Sequence, residues 1–190
     1  MSESDHMFRE TYATDPDSAI EKYRAYMLDH ENQPLQPVTG YPLVKALLGL
    51  NQHRQPDDKS PLVQVVVMSR NSPDTGIRVL NTIRHDRLEI TRSAFTAGET
   101  VADYLDAFDV DLFLTTNVED AQKVIDSRFC AAAILKDPPS DASDIPEGQV
   151  RIAFDGDAVL FCDQSELVYK PQGMAAFHAL EDAQQDIPME

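Results

Sequence analysis

The segment that most constrains the fold is Leu62–Met68, which reads LVQVVVM. It is almost entirely apolar and rich in β-branched residues, which is typical of a strand covered on both faces in a parallel sheet. A polar loop follows it, and the residues after the loop place Ile77, Leu80 and Ile83 at helical spacing. This order of strand, loop and helix predicts a right-handed crossover to a second parallel strand.

Similar units follow along the chain. The apolar pattern predicts further strands at Leu88–Phe95, Val110–Leu114, Cys130–Leu135 and Val150–Phe154. It predicts helices at Thr100–Phe108, Val118–Ser127 and Gly173–Ala183. Alternating strands and helices indicate an α/β fold built on a Rossmann-like, mostly parallel sheet.

The first 60 residues carry helical patterns only. Helices are predicted at Ala19–Asn32 and at Tyr41–Leu50. We therefore expect a helical segment over residues 1–60 and an α/β core over residues 61–190, within one domain overall. The helices would serve as a small cap, as a cover for the sheet or as a dimer face, so a homo-oligomer is an open alternative. The clearest linker is Pro138–Gly148.

The charge of the chain excludes two classes of partner. Its 16 Lys and Arg residues stand against 33 Asp and Glu residues, which gives a formal net charge of −17. Nucleic acid and anionic membranes both reward basic surface, so neither is expected as a partner. The two cysteines, Cys130 and Cys162, lie in apolar runs and are expected to be buried free thiols in a reducing compartment. With no apolar run near the ~20 residues of a membrane span, we expect a cytoplasmic protein.

Two carboxylates follow the last predicted strand, in the sequence Phe154-Asp155-Gly156-Asp157. Ligands of open α/β sheets gather at the carboxyl ends of the strands. Like charges this close repel unless a cation or a shared proton relieves them, and Mg²⁺ suits such oxygen ligands. In that interpretation Asp155 attacks phosphorus to form an aspartyl phosphate, and Asp157 serves as acid and then as base. Asp-Gly between apolar runs also favours a hairpin turn, and the two interpretations are compatible.

A second polar group follows the first strand, at Ser69, Arg70, Asn71 and Ser72. A hydroxyl, a guanidinium and an amide at a helix N-terminus form a plausible cradle for a phosphate. Helix capping by Ser72 or Asp74 explains part of the same pattern without a ligand. Arg70 is the residue that capping does not explain.

Several of these segments together resemble the cytosolic 5′-nucleotidase I family of the haloacid dehalogenase-like superfamily. The resemblance runs from about Ala19 to Phe177 and lies in these motifs: Ser69–Gly76, Ile90–Thr96, Val110–Leu114 and Arg151–Phe161. It implies Mg²⁺-dependent hydrolysis of nucleoside 5′-monophosphates, with AMP-like substrates first. It also implies a nucleophile at Asp155, an acid/base at Asp157, both carboxylates on the metal, and a phosphoryl-holding hydroxyl at Ser69 with Arg70 and Asn71 beside it.

The chain departs from the family pattern at two places. The family's phosphate-binding Lys is missing from Thr100–Phe108, which carries Asp103 and Asp106 instead, and no acid follows Val110–Leu114. Lys136 and Asp163 are candidate substitutes. These departures favour an alternative, a shortened relative without turnover that binds a nucleotide or a partner chain.

The Asp-Gly-Asp strand has two candidate places in the fold. It either begins a second unit that longer relatives carry, or folds back as the central strand of one sheet in a circularly permuted order. We expect the second arrangement, because a lone hairpin without a sheet to join is marginal.

Overall fold

The computed structural model describes residues 12–13, 15–136, 149–156, 159–160 and 164–184. The chain divides into two compact units, Met1–Val150 and Arg151–Glu190. The boundary expected after residue 60 stays a prediction. The predicted linker Pro138–Gly148 lies outside the described residues, which resume at Gln149.

The first unit contains two pairs of parallel strands. Strand β1 (Val66–Ser69) pairs with β2 (Arg92–Phe95) in the register Val66↔Arg92, and β3 (Leu112–Thr115) pairs with β4 (Ala131–Ile134) in the register Leu112↔Ala131. A helix connects the strands of each pair, as parallel pairing requires. The α/β class is therefore confirmed.

The expected single sheet is not formed by the described strands, because each of the two sheets contains two strands. Strand β1 is also shorter and less covered than LVQVVVM predicts: it begins at Val66, opposite the first residue of β2, and its residues are half-buried. Main-chain pairing sets where a strand begins, so apolar residues ahead of the partner's first residue stay outside the ladder.

Both helices predicted ahead of β1 are present in the described residues. Helix α1 (Pro16–Asp29) begins after Asp15, whose carboxylate accepts a hydrogen bond from the Ser18 N–H at 3.2 Å, and α2 (Tyr41–Gly49) continues into a 3₁₀ turn. Helix α3 (Pro73–His85) connects β1 to β2.

Helix α1 packs against α3 through apolar and cationic contacts. Ala19 and Met27 are buried. The guanidinium of Arg78 on α3 is also buried, donates from Nε to the Gln33 carbonyl at 2.9 Å and lies over the Tyr26 ring.

The helix predicted at Thr100–Phe108 is instead a pair of 3₁₀ turns, Val101–Tyr104 and Asp106–Phe108. Val101 and Leu105 are buried in the core beside Val124 of α4 (Val118–Ser127). Successive 3₁₀ turns bring residues three and four apart to one side, so they satisfy the same apolar spacing as a single α-helix. Helix α4 has the predicted bounds.

The described part of the second unit contains two helices, α5 (Gln164–Gln172) and α6 (Met174–Gln184), and α6 confirms the last predicted helix. Gly173 between them has φ +79°, a left-handed conformation that glycine adopts without strain. The strand predicted at Val150–Phe154 is not formed: these residues have no regular secondary structure, and Ile152 and Phe154 are 58% and 62% exposed. A strand requires a neighbouring strand to pair with, and within the described residues this segment belongs to neither sheet.

Candidate functional site

The polar loop after β1 is held in place by the loop after β2. The main-chain N–H groups of Thr96, Ala97 and Gly98 donate to the carbonyls of Ser69, Asn71 and Arg70 at 2.9, 3.0 and 2.8 Å. Gly98 has φ +100°, where an L side chain would be strained. Three main-chain bonds therefore fix the loop that carries the predicted phosphate-binding residues.

The side chains of this loop are also connected to one another and to helix α1. The Ser69 hydroxyl oxygen accepts a hydrogen bond from the Asn71 N–H at 3.2 Å. The Tyr23 hydroxyl donates to Asn71 Oδ1 at 3.3 Å. Because Asn71 uses its carbonyl oxygen for Tyr23, its amide N–H₂ group, which can only donate, lies on the other side of the side chain.

The start of α3 corrects part of the capping interpretation. Ser72 is the N-cap residue and Pro73 occupies the first turn, as expected, but the Ser72 side chain makes no capping bond to a helix N–H. Its hydroxyl instead donates to the Asp74 carboxylate, which also forms an ion pair with Arg24. The Ser72 hydrogen bond and the Arg24 guanidinium hold the pKa of Asp74 below its usual value.

Arg70 has a partner that its sequence neighbourhood does not indicate. Its guanidinium forms an ion pair with Asp120, in the first turn of α4. The side chain of Asp120 is 10% exposed, whereas that of Arg70 is 42% exposed. Since β1 precedes Arg70 and β3 precedes α4, the ion pair connects the carboxyl ends of the two strand pairs.

An apolar cleft of about 710 Å³ lies between β1 and β3. Pro61–Met68 line one wall and Phe108–Leu114 the other, with Val44, Leu47 and Ile90 beside them, while no residue of β2 or β4 is among the lining that the structure describes. The cleft thus lies along the edges of β1 and β3 that face away from their partners. Its lining ends at Met68 and Leu114, one residue before Ser69 and Thr115.

The predicted carboxylate pair is described in part. Asp155 is exposed, and Asp157 lies outside the described residues. Asp155 belongs to the second unit and Ser69 to the first, so their convergence on one phosphate stays a prediction.

The candidate substitutes are likewise described in part. Lys136 is exposed just after β4, and Asp163 lies outside the described residues. Asp103 and Asp106, at the place expected for a Lys, are exposed. Cys130 is half-buried rather than buried, and Cys162 is not described.

The donor groups near the predicted carboxylate pair can be compared with those that Mg²⁺ prefers. In the described ranges, no group of three or more His, Cys, Asp or Glu side chains is arranged to hold a metal ion. Mg²⁺ needs no such cage, because it is commonly held by one or two carboxylates together with waters and substrate phosphate oxygens. An exposed carboxylate at Asp155, with Asp157 two positions on, is an oxygen-donor set of that kind.

Comparison with known proteins decides the family. A family model described as 5′-nucleotidase matches residues 1–190. The chain belongs to the 5′-nucleotidase family. This 5′-nucleotidase family member is 35% identical over 160 residues to human cytosolic 5′-nucleotidase 1B, an alignment covering 83% of the chain and 26% of that relative. The chain therefore spans about a quarter of the length of that relative. No solved structure matches it with significance.

Three residues that contact this candidate loop in the 5′-nucleotidase family member were missed by sequence reasoning: Tyr23, Thr96 and Asp120. Asn117 offered a signal for the last of these, because its Oδ1 accepts from the N–H groups of Glu119 and Asp120 at 2.8 and 3.2 Å. An Asn after a strand predicts a helix start and hence an acidic first turn near the strand's end.

Within the described residues, no helix combines the length and apolar character needed to cross a bilayer.

Proposed function

We propose that this chain hydrolyses nucleoside 5′-monophosphates, AMP-like substrates first, to nucleoside and phosphate in a Mg²⁺-dependent reaction in the cytoplasm. The observation that carries the proposal is the loop Ser69–Asn71, which three main-chain hydrogen bonds fix at the N-terminus of α3. A helix N-terminus with a hydroxyl, an amide and a guanidinium favours a phosphate group.

The proposed reaction has two displacements. The Asp155 carboxylate attacks phosphorus, the bond from phosphorus to the nucleoside 5′-oxygen breaks, and Asp157 gives that oxygen its proton. Asp157 then takes a proton from water, the water oxygen attacks the aspartyl phosphate, and phosphate leaves as the Asp155 carboxylate is restored. Asp157 ends the cycle protonated, as it began.

The loop residues position the phosphoryl group during both steps. The Ser69 hydroxyl and the Asn71 amide donate to its oxygens, and the Arg70 guanidinium offsets its charge. Mg²⁺ held by Asp155 and Asp157 would neutralise further negative charge as the bonds change. Catalysis of this type depends mainly on positioning and charge neutralisation.

The proposal requires the Asp155 carboxylate and the Ser69 hydroxyl to meet at one phosphate. This corresponds to the permuted, haloacid dehalogenase-like order expected from the sequence, in which the nucleophile comes last.

Phosphate release from AMP tests the activity itself. We expect release with Mg²⁺, none after chelation, and a loss of about a thousandfold or more in Asp155→Asn. The matched control is Asp106→Asn, an exposed carboxylate in a 3₁₀ turn of the first unit, which should retain the original rate.

The alternative function predicts a different result. A nucleotide-binding relative without turnover would bind AMP, measured by calorimetry, but would release no phosphate with or without Mg²⁺. The absence of a Lys from Thr100–Phe108 is the observation that favours it.

A further inference from the structure

The main chain of Arg70 is fixed, but its side chain extends from the loop. The Arg70 carbonyl accepts from the Gly98 N–H at 2.8 Å, which holds the backbone. The long side chain has many rotamers, and freezing such a side chain costs conformational entropy. Without a fixed partner, the guanidinium would sample many positions, few of which face a phosphate at Ser69.

Asp120 provides a fixed partner. Its carboxylate is nine-tenths buried, and its main-chain N–H is bound by the Asn117 cap of α4. The first turn of α4 is also favourable for a negative charge, because the helix dipole is positive there. Within this ion pair, Asp120 is therefore the anchored member and the more exposed Arg70 is the member that solutes can reach.

The ion pair leaves donor capacity on Arg70. The guanidinium has five N–H donors in a planar fork, and the contact with Asp120 is made through one terminal nitrogen. The described residues provide no other carboxylate for it. A planar guanidinium held at one edge can still present its remaining donors to a phosphate.

We propose that Asp120 is a positioning residue that holds the Arg70 guanidinium at the carboxyl ends of β1 and β3, oriented to bind the substrate phosphate. The inference rests on the proposed function in one respect, the assignment of Arg70 to the phosphate. It adds a role for a residue on a different helix, 50 positions away in sequence. Asp120 acts only through Arg70 and does not touch the substrate.

The test measures the binding of inorganic phosphate by calorimetry and, independently, the KM and kcat for AMP. Asp120→Asn should weaken phosphate binding and raise KM together by about tenfold, equivalent to about 1.4 kcal/mol, with a smaller change in kcat. Asp120→Glu, which keeps the charge, should recover part of the affinity. Asp126→Asn, on the same helix and exposed, is the matched control and should change neither quantity.

A double-mutant cycle distinguishes a positioning role of Asp120 from a purely structural role. If Asp120 acts through Arg70, Arg70→Ala and the double variant Arg70→Ala/Asp120→Asn should bind phosphate equally weakly. A denaturant midpoint equal to that of the original protein would show that Asp120→Asn is folded. If Asp120→Asn does not fold, Asp120→Glu is the second variant in which phosphate binding is measured.

The outcomes of the two proposals are distinguishable. Turnover of AMP with phosphate affinity unchanged in Asp120→Asn would overturn the positioning role and leave the proposed function standing. Phosphate binding that depends on Asp120 and Arg70, in a protein that does not turn over AMP, would support the positioning role and overturn the proposed function. Tighter phosphate binding in Asp120→Asn would also overturn the inference, because it would mean that Asp120 competes with phosphate for Arg70. A folded wild-type protein that binds no phosphate would overturn it as well.

Discussion

The main chain of Gly76 on α3 lies directly against the ring of Phe95 at the end of β2. A Cβ at Gly76 would approach Phe95 Cδ1 and Cε1 to 2.7 Å and Cγ to 2.8 Å, closer than real Cβ contacts allow. Gly76→Ala raises helix propensity by about 1 kcal/mol, which alone would stabilise the protein. Overpacking in a filled core costs typically about 1–3 kcal/mol, so we expect a lower free energy of unfolding in urea titrations.

Phe95→Ala provides the control for this prediction. In that background the ring is gone, and Gly76→Ala should become neutral or stabilising because only helix propensity remains. Destabilisation of equal size in both backgrounds would contradict a steric origin.

Asn117 should contribute to stability as the N-cap of α4. Asn117→Ala removes the acceptor for the N–H groups of Glu119 and Asp120 and should cost about 1 kcal/mol of unfolding free energy. Asn117→Asp keeps an acceptor oxygen and should stay within a few tenths of a kcal/mol of the original protein. If urea denaturation gives equal losses of unfolding free energy in the two variants, the capping hydrogen bonds are not the cause of the loss.

The lowered pKa of Asp74 predicts a specific dependence of stability on pH. Because the folded-state pKa is below the unfolded value of about 3.9, the charged carboxylate stabilises the fold at pH values above the unfolded pKa. That contribution is lost as the pH falls through the folded-state pKa. We expect Asp74→Asn to lower the unfolding free energy at neutral pH and to match the original protein in strong acid.

Asp57→Asn is the matched control for Asp74, since Asp57 is exposed in the loop before β1. Its unfolding free energy should follow that of the original protein at every pH. A difference between Asp74→Asn and the original protein that persists undiminished in strong acid would contradict the electrostatic explanation.

Cys130 should react slowly with alkylating reagents at neutral pH. Burial raises the pKa of this thiol, and the thiolate is the reactive form. In a Cys162→Ser background, the rate of reaction with iodoacetamide should rise with pH to a midpoint above the ordinary value of about 8.5. As the control, the same protein unfolded in urea should show a pH midpoint of the reaction rate near the ordinary value. A folded-state midpoint at or below that of the unfolded chain would be inconsistent with the raised pKa.

Local sequence signals explain which elements were predictable. Helix α4 has the predicted bounds because Asn117 marks its start and its apolar residues repeat at helical spacing. Strand β1 differs at its first residues because its start depends on Arg92, 26 positions further along, and no local pattern encodes that register. The two 3₁₀ turns around Leu105 share the apolar spacing of a helix, so the pattern could not distinguish them.

The candidate site, like the fold, was predictable only where a local sequence signal exists. Ser69, Arg70 and Asn71 were singled out because polar residues after a buried strand mark the carboxyl edge of a sheet, and their phosphate-binding role stays a prediction. Asp120 was not singled out, since its contact with Arg70 exists only after β1 and β3 have been brought together. A local motif therefore indicates candidate residues, whereas the contacts between distant residues depend on the fold.

The edges of β1 and β3 that line the cleft have a consequence for the behaviour of the protein in a crowded solution. Within the described residues each of these strands pairs with one partner only, so its other edge offers a row of main-chain N–H and C=O groups. An extended segment of another chain that reaches the cleft would compete for those groups. Concentrated, partly folded protein should therefore associate through this edge, and charged residues introduced there should reduce the association.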